Sequence, residues 1–122
     1  MNLLNLFQIE ILSKNSSEVV LSMPVLDEHK QPYGMVHGGV YGVLIETAAS
    51  IGGMENVNSD EFVVGIDLQV NHLKSVSSGT LITKAKPNHI GNSLHVWEAT
   101  IYSDKEDIIA VGRCSLLPRK KH

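Results

Sequence analysis

A single cysteine, Cys114, leaves no partner for an internal disulfide, and in a strand-like context it reads as a small core residue. Positive charge is also short: 10 lysines and arginines stand against 13 acidic residues, a net charge of -3, so the basic footprint of a nucleic-acid binder is missing. No apolar run reaches the roughly 20 residues of a membrane span. The start Met1-Asn2-Leu3-Leu4-Asn5 lacks the charged opening of a signal peptide, so no membrane partner and a cytoplasmic location are expected. No two histidines have helical ligand spacing beside a carboxylate, so neither a metal site nor another cofactor is expected. Repeats, linkers and low-complexity segments are absent as well. With 43% hydrophobic and 19% charged residues, the chain is expected to form one domain over residues 1–122 with one core.

What is present concentrates in Gln31-Pro32-Tyr33-Gly34-Met35-Val36-His37-Gly38-Gly39 and the helix-like run Val40 to Met54 that follows. Between Gln31 and Met54 the only carboxylate is Glu46, set among apolar and small residues. Desolvating an isolated carboxylate is costly, so a polar task is expected of it. At about 100° per residue the segment splits into two faces. Val40, Leu44, Ala48 and Ile51 form a stripe suited to packing on a sheet. Gly39, Gly42, Glu46, Ser50 and Gly53 form the other, a face of little bulk that carries one acid with a hydroxyl one turn on. Each glycine costs a helix roughly 1 kcal/mol relative to alanine, so this stripe reads as a groove that something approaches closely.

Around this helix the pattern is that of strands. After a short helical or loose start, Phe7 to Leu12 and Glu18 to Met23 read as a hairpin joined by Ser13-Lys14-Asn15-Ser16-Ser17. Beyond the loop Asn56 to Asp60, Ile66-Asp67-Leu68-Gln69-Val70-Asn71 alternates strictly, and strands follow at Leu81 to Pro87, Ser93 to Ser103 and Ile108 to Leu117. Arg119-Lys120-Lys121-His122 reads as a solvated tail. The expected class is α+β, an antiparallel sheet against one long helix. One helix cannot cover both sheet faces and its own glycine stripe, so pairing with a second copy is expected.

His37-Gly38-Gly39 places two glycine amides among the unpaired donors at the positive end of the helix, a setting for a polarised carbonyl oxygen. Taken alone it reads equally as a turn into the helix. In combination, Gln31, His37-Gly38-Gly39, Glu46 and Ser50 resemble the signature of hotdog-fold acyl-CoA thioesterases. The relevant branch contains phenylacetate-pathway and 4-hydroxybenzoyl-CoA thioesterases and 1,4-dihydroxy-2-naphthoyl-CoA hydrolase. The likeness continues through Gly65 to Leu73, Gly79 and the His89-Ile90-Gly91-Asn92-Ser93 turn.

The resemblance implies a curved antiparallel sheet wrapped around one long central helix, and hydrolysis of a thioester to a free acid and CoA. Glu46 would be the nucleophile or general base, Gly38 would polarise the carbonyl through its amide, Gln31 and His37 would hold the loop and thioester end, and Ser50 would position water or the acid. Gly39, Asn71, His72, His89, Gly91, Asn92 and Ser93 would border the CoA path, although relatives often carry a basic residue where this chain has Asn92. Met35, Tyr41, Met54 and Phe62 would line the acyl pocket. A hotdog hydratase or dehydratase, or a non-catalytic acyl-CoA binding module, are the rival readings. Helix geometry adds that Gly38 and Glu46, separated by about 12 Å along one helix, would serve one thioester only from two chains. A homodimer with shared sites is therefore expected, in a dimer of dimers.

Overall fold

The computed structural model describes residues 2–122; Met1, the first residue of the expected N-terminal start, lies outside them. A short helix α1 (Leu3–Phe7) is followed by β1 (Glu10–Lys14), β2 (Val19–Pro24), a 3-10 turn (Asp27–His29), the long helix α2 (Gly38–Met54), β3 (Glu61–His72), β4 (Thr80–Ile90), β5 (His95–Tyr102) and β6 (Ile108–Lys120). The strands form one antiparallel six-stranded sheet in the order β1-β2-β4-β5-β6-β3. The curved sheet holds α2 against one face in the hotdog arrangement.

Alternate residues of the inner strands face inward. Leu21 and Met23 of β2, Leu81 and Ala85 of β4, Trp97 and Ile101 of β5, and Cys114 and Leu116 of β6 are buried against Leu44, Ile45, Ala48 and Ala49 of α2. The helix has to come close to the sheet at its C-terminal end. A methyl group on Gly53 would lie 2.7 Å from a Leu116 methyl, and one on Gly52 would overlap the Trp97 ring.

Several expectations are corrected. Phe7 ends α1 instead of opening a strand: the Asn2 side chain accepts from Asn5 N–H at 3.1 Å and caps the turn, and Gln8 terminates it at φ 59°. Gly53 leaves the open helix face because Leu116 and Val63 close over it. The strand expected from Ser93 begins at His95, after Gly91 N–H closes a turn onto the Leu94 carbonyl at 2.8 Å. Arg119 and Lys120 are the end of β6 and not a loose tail. They pair with Phe62 and Glu61, and Lys120 Nζ meets Asp60 Oδ2 at 3.1 Å. β3 extends well beyond the alternating segment because the register shifts between Gly65 and Asp67, a bulge whose extra residue masks the period of its first half.

Candidate active site

The loop before α2 is built by its own hydrogen bonds. Gly34 N–H donates to the Gln31 carbonyl at 3.0 Å, and Gly34 has φ +90°, a conformation that glycine adopts without strain. The Gln31 side-chain oxygen accepts from Tyr33 N–H within the same exposed turn. Gln31 N–H donates to the Met35 carbonyl at 2.8 Å, and Lys30 bridges to Val36.

His37 is the N-cap of α2. Its Nδ1 accepts from Gly39 N–H at 2.8 Å, and its carbonyl accepts from Val40 N–H at 2.9 Å. The Gly39 amide is therefore not among the free donors, contrary to the expectation for both glycines. Among the described residues no group accepts from Gly38 N–H. One amide at the positive end of a 17-residue helix remains free.

Gly38, Gly39, Gly42, Val43 and Glu46 form the helix side of a 500 Å³ cleft, and Leu68, Val70 and His72 of β3 form the other. The lack of side chains on α2 sets the width. A methyl group on Gly38 would lie 2.6 Å from the His72 ring, and one on Gly42 would lie 3.3 Å from a Leu68 methyl. The His72 ring also packs on Tyr41, with centroids 5.6 Å apart.

Glu46 is half-buried, and its carboxylate reaches across to the α-carbon of Gly65 on β3. Among the described residues it has no hydrogen-bond donor and no cation partner. The buried Cys114 thiol lies on the same side of the sheet. Its pKa is pushed up to about 11, first by burial and then by the negative charges of Glu46 and Asp67. Ser50, one turn beyond Glu46, is half-buried and outside the residues lining the cleft.

The expected binding residues divide. His72 lines the cleft, whereas Asn71, its neighbour on β3, lies on the opposite sheet face in a 360 Å³ hollow with Gln69, Thr100 and Arg113. Gly91 and Asn92 line a separate 310 Å³ hollow with Asn56, Asn58, Glu61 and His95, beyond the C-terminal end of α2. Ser93 belongs to the same β4–β5 connection, whereas His89, expected in the turn, is near the end of β4 and pairs with Val96 of β5, with its ring against Gly91. Within one chain this turn is thus apart from the Glu46 cleft. Of the acyl-pocket positions, Tyr41 is buried beneath His72, Met35 is half-buried, and Met54 and Phe62 are exposed. Sequence reading missed Gly65, Leu68 and Val70. The alternation of β3 could have found the last two, since they share the parity of His72.

An unshared carboxylate and an unshared helix-terminal amide thus open on one apolar-walled cleft. The amide can polarise a carbonyl, and the carboxylate can attack a thioester carbon or activate a water.

Known proteins are similar to this chain in sequence and in fold. Residues 33–110 match the family model of the thioesterase superfamily. The chain is 39% identical over 113 residues to a 1,4-dihydroxy-2-naphthoyl-CoA hydrolase of Listeria monocytogenes, covering 93% of this chain and 92% of that protein. It is 34% identical over 92 residues to the Escherichia coli protein of the same name, covering 75% and 68%. Among solved structures, a mutant of a thioesterase from Staphylococcus aureus superposes with a TM-score of 0.95 at 35% identity, covering 98% of this chain and 99% of that one. A Haemophilus influenzae thioesterase superposes with a TM-score of 0.92 at 32% identity, covering 96% and 82%. The chain belongs to the thioesterase superfamily, in its hotdog fold.

Proposed function

We propose that the protein hydrolyses acyl-CoA thioesters in the cytoplasm, with Glu46 as nucleophile or general base and the Gly38 amide polarising the thioester carbonyl. The observation that carries this is that the Glu46 carboxylate and the Gly38 N–H, both without partners among the described residues, lie on the same open glycine face of α2, so that a second copy facing that side antiparallel would set Gly38 of one chain against Glu46 of the other. The carboxylate stands among Leu68, Val70 and Val43, within reach of a thioester carbon or a water held in the cleft. The thioester oxygen, gaining negative charge on attack, accepts from Gly38 at the positive helix end. Ser50, one turn beyond Glu46, orients the water or the Glu46 carboxylate. Gln31 and His37 set the loop that aims the amide, His37 by capping the helix through Gly39.

The active unit in this reading is a dimer. β3 is a twelve-residue edge strand with Phe62, Ile66 and Leu68 at 36, 53 and 38% exposure, a surface suited to pairing with β3 of a second copy. Gly38 and Glu46 lie about 12 Å apart along one helix, so a carbonyl held by Gly38 of one chain is attacked from Glu46 of the other. The dimer would also bring the His89 to Ser93 turn and Asn71 toward the CoA of a partner's site, and dimers would pair again into a tetramer.

Thiol release from a panel of aromatic, naphthoyl and aliphatic CoA esters tests the activity and ranks the acyl groups. Glu46→Ala should lower kcat by at least about a hundredfold with the fold intact. Near-wild-type turnover by a folded Glu46→Ala protein would refute this mechanism.

A further inference from the structure

We infer that His29, which does not itself line the cleft, is a positioning residue that ties the Gln31 to Gly38 loop to the N-terminal helix. His29 is 2% exposed, and both ring nitrogens are engaged. Its Nδ1 lies 3.0 Å from the backbone nitrogen of Leu26, and its Nε2 lies 2.9 Å from the carbonyl oxygen of Phe7, at the end of α1. An amide can only donate and a carbonyl can only accept, so the ring is neutral with its proton on Nε2. A cationic ring would set Nδ1–H against Leu26 N–H, donor facing donor. The ring also packs on Phe7, with centroids 5.4 Å apart.

From this ring a chain of bonds leads to the free amide. The His29 carbonyl accepts from His37 N–H at 2.8 Å, and His37 Nδ1 accepts from Gly39 N–H at 2.8 Å. Gly38 N–H lies between those two bonded amides, so its direction is set by where His37 sits. On the outer side the loop is closed by the bridge of Lys30 to Val36, and Val36 N–H donates to the Val76 carbonyl at 2.9 Å. The ring of His29 is the side-chain link that fastens this assembly to α1. α1 contributes no group to the cleft, yet through Phe7 it holds the loop that aims the amide.

The kinetic part of the test rests on the thioesterase reading, whereas the exchange part does not. His29→Gln retains a donor that can reach the Phe7 carbonyl, whereas His29→Asn retains only an acceptor for Leu26 N–H. These variants are compared with His29→Ala by circular dichroism, thermal melting, kinetics and amide hydrogen exchange. His29→Ala is expected to lower kcat about tenfold or more with KM nearly unchanged, because a displaced polarising amide weakens the transition state. His29→Gln should recover most of that loss and His29→Asn little. Exchange at His37 and Gly39 should rise about tenfold in His29→Ala and His29→Asn, while Leu44 and Ile45 in the body of α2 stay protected.

A lowered melting temperature with unchanged kcat and unchanged exchange at His37 and Gly39 would make His29 merely structural and overturn the inference. Rescue by His29→Asn as complete as by His29→Gln would remove the link to α1. Should His29→Ala fail to fold, the Gln and Asn variants carry the comparison. A wild-type protein that releases thiol from no acyl-CoA would defeat the thioesterase reading, and exchange at His37 and Gly39 would still decide the role of His29.

Discussion

The Glu46 carboxylate rests directly on the α-carbon of Gly65, so that a methyl group there would overlap Oε2. The two residues come from different elements, the long helix and the bulge of β3, and the bareness of one leaves room for the acid of the other.

Gly65→Ala is therefore expected to act on the chemistry through Glu46. Gly65 has an ordinary φ, and the atom in the way is the free end of a flexible side chain, so the fold should tolerate the methyl group. The carboxylate has to swing aside, and a displacement near 1 Å can cost about a hundredfold in rate. Kinetics and a melting curve would check this; a well-folded Gly65→Ala enzyme with wild-type kcat would show that the position of Glu46 is not critical.

Mixing two inactive variants tests the shared site. If Glu46→Ala and Gln31→Ala are each nearly dead, refolding them together at equal amounts should give mixed dimers with one doubly impaired site and one intact site. Random pairing should then recover up to about a quarter of wild-type activity. Mixed dimers seen by mass spectrometry without any recovered turnover would place the whole site within one chain.

His95 makes stability depend on pH. Its imidazole is buried, and burial, aided by the neighbouring charge of His89, holds its pKa below the ordinary 6.5. Below that value the unfolded chain takes up a proton that the native state resists. The stabilisation from a neutral His95 is thus complete above about pH 6.5 and is lost as pH falls toward the lower native value. Urea denaturation at a series of pH values from about 7.5 to 5 should show falling midpoints, with a smaller fall in His95→Gln. Equal slopes in the two proteins would exclude His95 as the source.

Cys114 should be inert in the native state. It is fully buried, and with its pKa raised to about 11 almost no thiolate exists at neutral pH. An aromatic disulfide reagent should release less than a tenth of an equivalent of chromophore over an hour from native protein, and about one equivalent in denaturant. Rapid full reaction of the native protein would contradict the packing of β6 against α2.

The long helix was legible from its apolar stripe, and its open face from the glycines around one acid, Gly39, Gly42 and Glu46, which do line a cleft. Alternation was read only in Ile66 to Asn71, and there it marked an edge strand whose Ile66 and Leu68 are exposed in the single chain. Other parts depend on relations that residue types do not record. Asn71 and His72 are neighbours on one strand and point to opposite sheet faces, so a search by residue type draws both when only one can enter a given cleft. Gly65 is a lone strand glycine whose meaning depends on the carboxylate opposite. The partners of His29 are backbone atoms, one of them 22 residues away, and backbone atoms leave no mark in composition. Phe7 looked like part of a strand because its apolar neighbours do not distinguish five helical residues from an extended run.

The two margins of the sheet are unequal. β1 is five residues long, interrupted between Ile11 and Ser13, and bounded by Glu10 and Lys14, whereas β3 offers an edge more than twice as long. Such a sheet has one side open to extension and one side blunted. Growth by strand addition therefore ends when two β3 edges meet, because the joined sheet presents only β1 at both margins. In the proposed pairing of two β3 edges this asymmetry makes association finite: it would give a closed pair of chains, with no repeating edge from which a fibre could propagate.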